Sequence, residues 1–251
     1  MECSVVIPVH NEAASLEAHV THFIQTLPTD VAEVLKEIII VENGSTDFTM
    51  DCCLRVQQKF PKLIQVFMIP RGSYGEAIKR GMQESRGTHI SILECDFLDS
   101  RFVSSSIAIF RANRAQLVVG SKRHPHSADR RPLKRRVLTA LYNMLLRLLI
   151  GYPGSDTHGL KSIEAPVAKR LCEIAVTTDE VFQTEIVLLA WQLGIRIEEV
   201  PVQILEMRNP TVTVLRRVPK VLNTVRALQR SLRRFPKPRP QPPDSSQSLP
   251  S

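Results

Sequence analysis

The sequence predicts an α/β fold, a mostly parallel, Rossmann-like sheet with helices on both faces. Short apolar runs alternate with helix-length amphipathic stretches from residue 4 to residue 119, the rhythm of βαβ units. The runs are continuous rather than alternating, Ile38-Ile39-Ile40-Val41 above all, as in strands covered on both faces. The chain has 251 residues, 43% of them hydrophobic, enough to bury one sizeable core.

The expected strands are Ser4–Val9, Glu37–Val41, Leu63–Ile69, His89–Leu93 and Gln116–Val119. Helical spacing falls between them at Glu12–Leu27, Asp47–Lys59, Tyr74–Ser85, Ser100–Asn113 and Pro132–Ile150. After Gly151 the alternation loosens into Ser155–Ile163, two helical stretches at Ala165–Ala175 and Val181–Leu193, and a strand at Ile195–Val202. Between Val212 and Leu232 apolar residues recur at helical spacing with arginines between them, which predicts a basic amphipathic helix over 212–235. That helix suits an anionic membrane surface, and it equally suits packing on the α/β body. From Pro236 six prolines alternate with polar residues, a composition expected to stay disordered over 236–251. Residues 1–211 are thus expected to form one folded domain.

Charge is unevenly placed. The formal net charge is +8, and the ten Lys and Arg between Arg208 and Arg239 face no acid there, so 8 − 10 leaves about −2 for the rest. Lys122, Arg123, Arg130, Arg131, Lys134, Arg135 and Arg136 form a second cluster, opposed only by Asp129. Both suit phosphate or anionic lipid. Without an interleaved aromatic platform, nucleic acid is not an expected partner. The five cysteines show no metal-ligand spacing, and adjacent Cys52 and Cys53 do not form a disulfide framework, so a reducing, cytoplasmic compartment is expected. No apolar stretch is long enough to span a bilayer, and the amino terminus lacks a signal-peptide layout.

In open α/β sheets, ligands bind outside the carboxyl ends of the strands. The chemically informative residues fall there: Pro8-Val9-His10-Asn11-Glu12, Glu42-Asn43-Gly44-Ser45-Thr46-Asp47, Gly72-Ser73-Tyr74-Gly75, Glu94-Cys95-Asp96, Asp99, and Gly120-Ser121-Lys122-Arg123. Glu94 and Asp96, as alternate residues on an extended end, can splay toward one hard cation, Mg²⁺ or Mn²⁺. Alone, the pair reads more readily as Asp96 or Asp99 capping the next helix with Glu94 solvated, and Asn43–Asp47 reads equally well as a tight turn with a cap. Gly72 and Gly75 could admit phosphate or sugar closely.

Taken in order, these segments resemble the family 2 glycosyltransferases of GT-A fold, in the polyprenyl-phosphate (dolichol-phosphate) mannose or glucose synthase branch. The resemblance covers residues 4–210 and includes Asp156-Thr157-His158-Gly159-Leu160-Lys161, Phe182-Gln183-Thr184-Glu185 and Glu199-Val200-Pro201-Val202. It implies that Pro8, His10, Glu12, Glu42, Asn43, Gly72, Gly75 and Cys95 line a nucleotide-sugar pocket, and that Glu94 and Asp96 hold Mg²⁺ or Mn²⁺ on the donor diphosphate. Lys122, Arg136 and Arg208 would handle donor or acceptor phosphates. The family usually carries Asp at position 94 and Asp-Asp where this chain has Glu42-Asn43.

The implied activity is inverting transfer of a hexose from GDP-mannose or UDP-glucose to a polyprenyl phosphate, by a protein peripheral on the inner face of the membrane. An anionic phosphate acceptor needs no strong base. A soluble hydroxyl acceptor would need one, with Asp96, Asp99 or Glu185 as candidates. A non-catalytic nucleotide-sugar binding protein is the reading from another class.

Overall fold

The structure is a computed structural model, which describes residues 1–124, 126–127, 144, 147–202 and 228–235. Seven strands form one sheet: β1 (Cys3–Val9), β2 (Leu35–Asn43), β3 (Ile64–Ile69), β4 (His89–Ile92), β5 (Leu117–Ser121), β6 (Lys161–Glu164) and β7 (Ile197–Pro201). Their order across the sheet is β3-β2-β1-β4-β6-β5-β7. The connecting helices are α1 (Leu16–Gln25), the single turn α2 (Thr29–Ala32), α3 (Thr49–Lys59), α4 (Tyr74–Glu84), α5 (Ser100–Arg111), α6 (Ala165–Ile174) and α7 (Phe182–Gln192).

The β-branched runs of β1 and β2 are buried on both faces, as their continuous apolar pattern requires. One set of strand residues, including Val6, Ile39, Val41, Ile90 and Ile92, packs with residues of α4, α6 and α7. The alternate set, including Val5, Ile7, Ile38 and Ile40, packs with residues of α1, α3 and α5. Helices therefore cover both faces.

Strand β6 departs from the parallel pattern. It runs antiparallel to both β4 and β5, between them. Because of that reversal its first residue, Lys161, pairs with Ile92, the last residue of β4. The segment leading into β6 thus arrives at the rim where the parallel strands end, and the motif Asp156–Lys161 is brought to the strand ends by topology.

The sheet also opens at that rim. Strand β1 pairs with β4 only from Cys3 to Val6, and the last bond runs from Leu93 N to Val6 O. Backbone groups two residues apart on a strand face the same neighbour, so Pro8, which has no N–H, faces β4 beyond the final rung. Pairing with β2 continues to Val9. The crevice between β1 and β4, where the strand order turns, is where such sheets take ligands.

Of the expected amphipathic helix, only residues 228–235 are described. Leu228 and Leu232 are buried in the core beside α7, and the Ser231 hydroxyl donates to Glu185 at 2.5 Å. Residues 212–227 and the 236–251 tail lie outside the described residues, as does most of the expected helix Pro132–Ile150. No helix among the described residues is long and apolar enough to cross a membrane. All five cysteines are buried, unpaired thiols.

Candidate active site

The loops after β1, β2 and β3 are tied together by short polar side chains. Asn11 has a left-handed backbone, φ 55°, which asparagine tolerates better than most residues. Its Oδ1 accepts from Thr46 N at 2.9 Å, and its N–H donates to Ser45 Oγ at 3.0 Å. The buried Glu42 carboxylate closes the same turn by accepting from Ser45 N at 2.5 Å. Asp47 Oδ1 accepts from Thr49 N, so the 43–47 segment is a side-chain-closed turn. Hydrogen bonding holds the Asp47 carboxyl below its usual range, chiefly that from the Thr49 hydroxyl.

Asn43 joins the second and third loops. Its carbonyl lies 2.8 Å from His10 Nδ1, and its Oδ1 accepts from Ser73 N at 2.6 Å. Gly72 is exposed and stands near both the Asn43 carbonyl and the His10 ring. His10, Asn43 and Gly72 are thus brought together, with Pro8 and Glu42 buried behind them and Glu12 half-buried on the first loop. Gly75 lies elsewhere: a Cβ there would come within 2.5 Å of the Thr178 carbonyl and 2.6 Å of Phe182 Cβ. Its smallness is needed for the packing of α4 against the segment that enters α7.

Strand β4 does not run on into the extended end expected at Glu94–Asp96; it stops at Ile92. Phe97 N donates to Glu94 O at 2.8 Å, closing a tight turn over Glu94-Cys95-Asp96-Phe97. The turn exposes Asp96, leaves Glu94 half-buried and buries Cys95, whose carbonyl lies 3.0 Å from His19 Nδ1. The cap of α5 is Asp99, which accepts from Arg101 N at 2.9 Å and Phe102 N at 3.1 Å. Neither Asp96 nor Glu94 serves that cap. On the α1–α5 side of the turn lies an open cavity of about 600 Å³, whose lining includes His22, Phe23, Asp96, Phe97 and Leu98.

Behind Glu94 is a buried polar network. The Tyr74 hydroxyl donates to Glu94 Oε1 in a short hydrogen bond, and Gln183 Nε2 donates to the same oxygen at 3.1 Å. Gln183 Oε1 accepts from Lys161 Nζ at 2.6 Å. Burial and the adjacent Glu94 carboxylate push the Tyr74 phenol well above its ordinary value. Burial pulls the fully buried Lys161 ammonium down to about 7, against the opposing influence of Asp156 and Glu94. Buried Asp156 accepts from Lys122 N at 3.2 Å and His158 N at 2.9 Å, and burial raises its carboxyl. Lys122 is therefore fixed at the same rim by its backbone.

Tyr74, Gln183 and Lys161 were legible as motif members without a role. The one usable signal was polar Gln183, Thr184 and Glu185 at the start of a helix that is apolar from Ile186 to Trp191, since buried polar groups need partners.

Glu185 has its partners elsewhere. It is fully buried and accepts from Val176 N, Thr177 N, Thr177 Oγ1 and Ser231 Oγ. These bonds fasten the α6–α7 connection and residue 231 to α7. Arg136 and Arg208 lie outside the described residues.

Comparison with known proteins agrees with this architecture. The model of the family described as "Glycosyl transferase family 2" matches residues 4–162. The glycosyltransferase AglD of Haloferax volcanii is 26% identical over 204 residues, covering 80% of this chain and 33% of that protein. A dolichyl-phosphate beta-glucosyltransferase of Dictyostelium discoideum is 28% identical over 212 residues, covering 79% of this chain and 65% of that protein. The chain therefore spans from a third to just under two thirds of the length of these relatives. Among solved structures, glucosyl-3-phosphoglycerate synthase of Mycobacterium tuberculosis, in complex with Mn²⁺, UDP and glucosyl-3-phosphoglycerate, superposes with a TM-score of 0.68 at 20% identity. That match covers 94% of this chain and 81% of the other. The fold is GT-A-like.

Proposed function

We propose that this chain, which belongs to glycosyl transferase family 2, transfers a hexose from a nucleotide-diphosphate sugar of the UDP-glucose type to a polyprenyl phosphate, with inversion at the anomeric carbon. The observation that carries the reading is the Glu94–Asp96 turn at the crevice where the strand order turns, opposite the loops tied by Asn43. The likeness to a dolichyl-phosphate beta-glucosyltransferase supports glucose as the sugar and a lipid phosphate as the acceptor.

Two carboxylates suit a divalent cation that is completed by substrate. Mg²⁺ and similar ions are commonly held by one or two carboxylates, with phosphates and waters filling the remaining positions. Among the described residues no group of three or more His, Cys, Asp or Glu could hold a metal ion, so Glu94 and Asp96 would hold one only together with substrate oxygens and water. We assign Glu94 and Asp96 to that role. The bound ion would supply charge neutralisation of the departing nucleotide diphosphate.

The remaining steps belong to the protein. Pro8, His10, Glu12, Glu42, Asn43 and Gly72 shape the nucleotide side, with Glu42 and Asn43 acting by holding the loops in register. Lys122, with Arg136 and Arg208, supplies positive charge for phosphates. The acceptor phosphate, already anionic, attacks the anomeric carbon from the face opposite the leaving group, and we assign its approach to the open cavity beside Asp96, whose lining mixes Phe23, Phe97 and Leu98 with His22 and Arg101. Glu185, saturated by amides and hydroxyls, is assigned to structure and not to proton transfer.

The test is nucleotide release from UDP-glucose and GDP-mannose with Mn²⁺ or Mg²⁺ and a polyprenyl phosphate. Release is expected with UDP-glucose, dependent on metal and lipid, and lost in Asp96→Ala. Undiminished release in that variant or in excess chelator would defeat the site. Release that needs no lipid would favour a soluble acceptor.

A further inference from the structure

Glu94 uses its two oxygens differently. Oε1 collects the Tyr74 hydroxyl and Gln183 Nε2, and Gln183 Nε2 also reaches Tyr74 Oη at 2.5 Å. Oε2 takes no hydrogen bond among the described residues. The far end of the Gln183 amide is pinned as well, because its Oε1 accepts from Lys161 Nζ, which also donates to the Gly159 carbonyl at 2.8 Å. With an ammonium on one side and a carboxylate on the other, only one orientation of that amide satisfies both neighbours.

The three supports come from separate elements: Tyr74 opens α4, Gln183 lies in the first turn of α7, and Lys161 begins β6. Each is anchored independently of Glu94. The residue before Tyr74 is held by Asn43 and by the Thr178 carbonyl, α7 is buried from Phe182 to Ala190, and Lys161 is locked in the ladder between β4 and β5. A flexible glutamate side chain so held gives up its rotamer freedom on folding rather than on binding an ion.

Resting on the reading of the site given above, we propose that Tyr74 and Gln183, backed by Lys161, are positioning residues that lock Glu94 through Oε1 so that Oε2 alone is presented to the divalent cation. Metal ligands are oriented by such neighbours, and losing one typically lowers metal affinity by about 10- to 100-fold.

The experiment titrates Mn²⁺ into the full chain, with and without UDP, and reads bound ion from loss of the electron paramagnetic resonance signal of free Mn²⁺. Tyr74→Phe keeps the ring and is expected to weaken Mn²⁺ by about tenfold, with an unchanged melting temperature and unchanged UDP binding in chelator. Gln183→Leu should weaken it similarly. In a Glu94→Asp background, whose shorter side chain withdraws from the hydroxyl, Tyr74→Phe should cost nothing further. Equal losses in both backgrounds would mean a general structural effect and overturn the proposal. Wild-type Mn²⁺ affinity in Tyr74→Phe and Gln183→Leu, with binding lost in Asp96→Ala, would overturn it while leaving the site reading intact. Wild-type affinity in Asp96→Ala would remove both.

Discussion

A fully buried lysine is costly unless it sheds its proton or finds acceptors, and Lys161 does some of each. Its ammonium is lowered to about 7 from the ordinary value of 10.5. Above pH 7 the unfolded chain therefore holds a proton that the folded chain has lost, so this residue makes stability rise with pH. The trend is opposed above about pH 9, where burial lifts the thiols of Cys3 and Cys172 to about 11 and that of Cys53 to about 12, so folding then disfavours their ionisation. Urea midpoints at pH 6.5 and 8.5 should increase in the wild type by more than in Lys161→Met, and equal increments would refute the assignment. Nothing in the local sequence around Lys161 announces this behaviour. It arises because an antiparallel strand between β4 and β5 buries the residue completely, a fact of tertiary position.

At the scale of elements, close packing makes definite demands. A Cβ added to Gly81 would stand 2.3 Å from Val6 Cγ1, so α4 lies directly on β1 there. Gly81→Ala should cost on the order of 1–3 kcal/mol by overpacking, measurable by denaturant unfolding, and a neutral result would mean that α4 shifts freely. Glu185→Ala would strip partners from two backbone amides and two hydroxyls, and should cost on the order of 3 kcal/mol while leaving the Mn²⁺ affinity of the folded protein unchanged. Five strands of the first half and their helices were legible because their apolar runs have a clear period, and the structure places β1 to β5 within two residues of expectation. The reversal of β6 was not legible: four residues of Lys-Ser-Ile-Glu carry no signal of direction. The expected extended end at Glu94–Asp96 failed for a related reason, since turn closure depends on one backbone bond from Phe97 that no side-chain pattern encodes.

Across the whole molecule, the basic excess is concentrated in 208–239 and around Lys122, leaving the remainder clearly acidic. Binding to vesicles containing an anionic lipid should exceed binding to zwitterionic vesicles and fall as salt is raised. Equal sedimentation with both would argue against electrostatic approach to a lipid surface. The sheet order carries one more consequence. Strands β5 and β7 meet β4 only through β6. During synthesis, β1 to β4 can pair as soon as residue 92 has emerged, but the open edge of β4 stays unpaired until residue 164 follows. An exposed edge invites pairing with other chains, so a ribosome stalled between those points would release a fragment prone to aggregate, and the short reversed strand is the piece whose arrival ends that hazard.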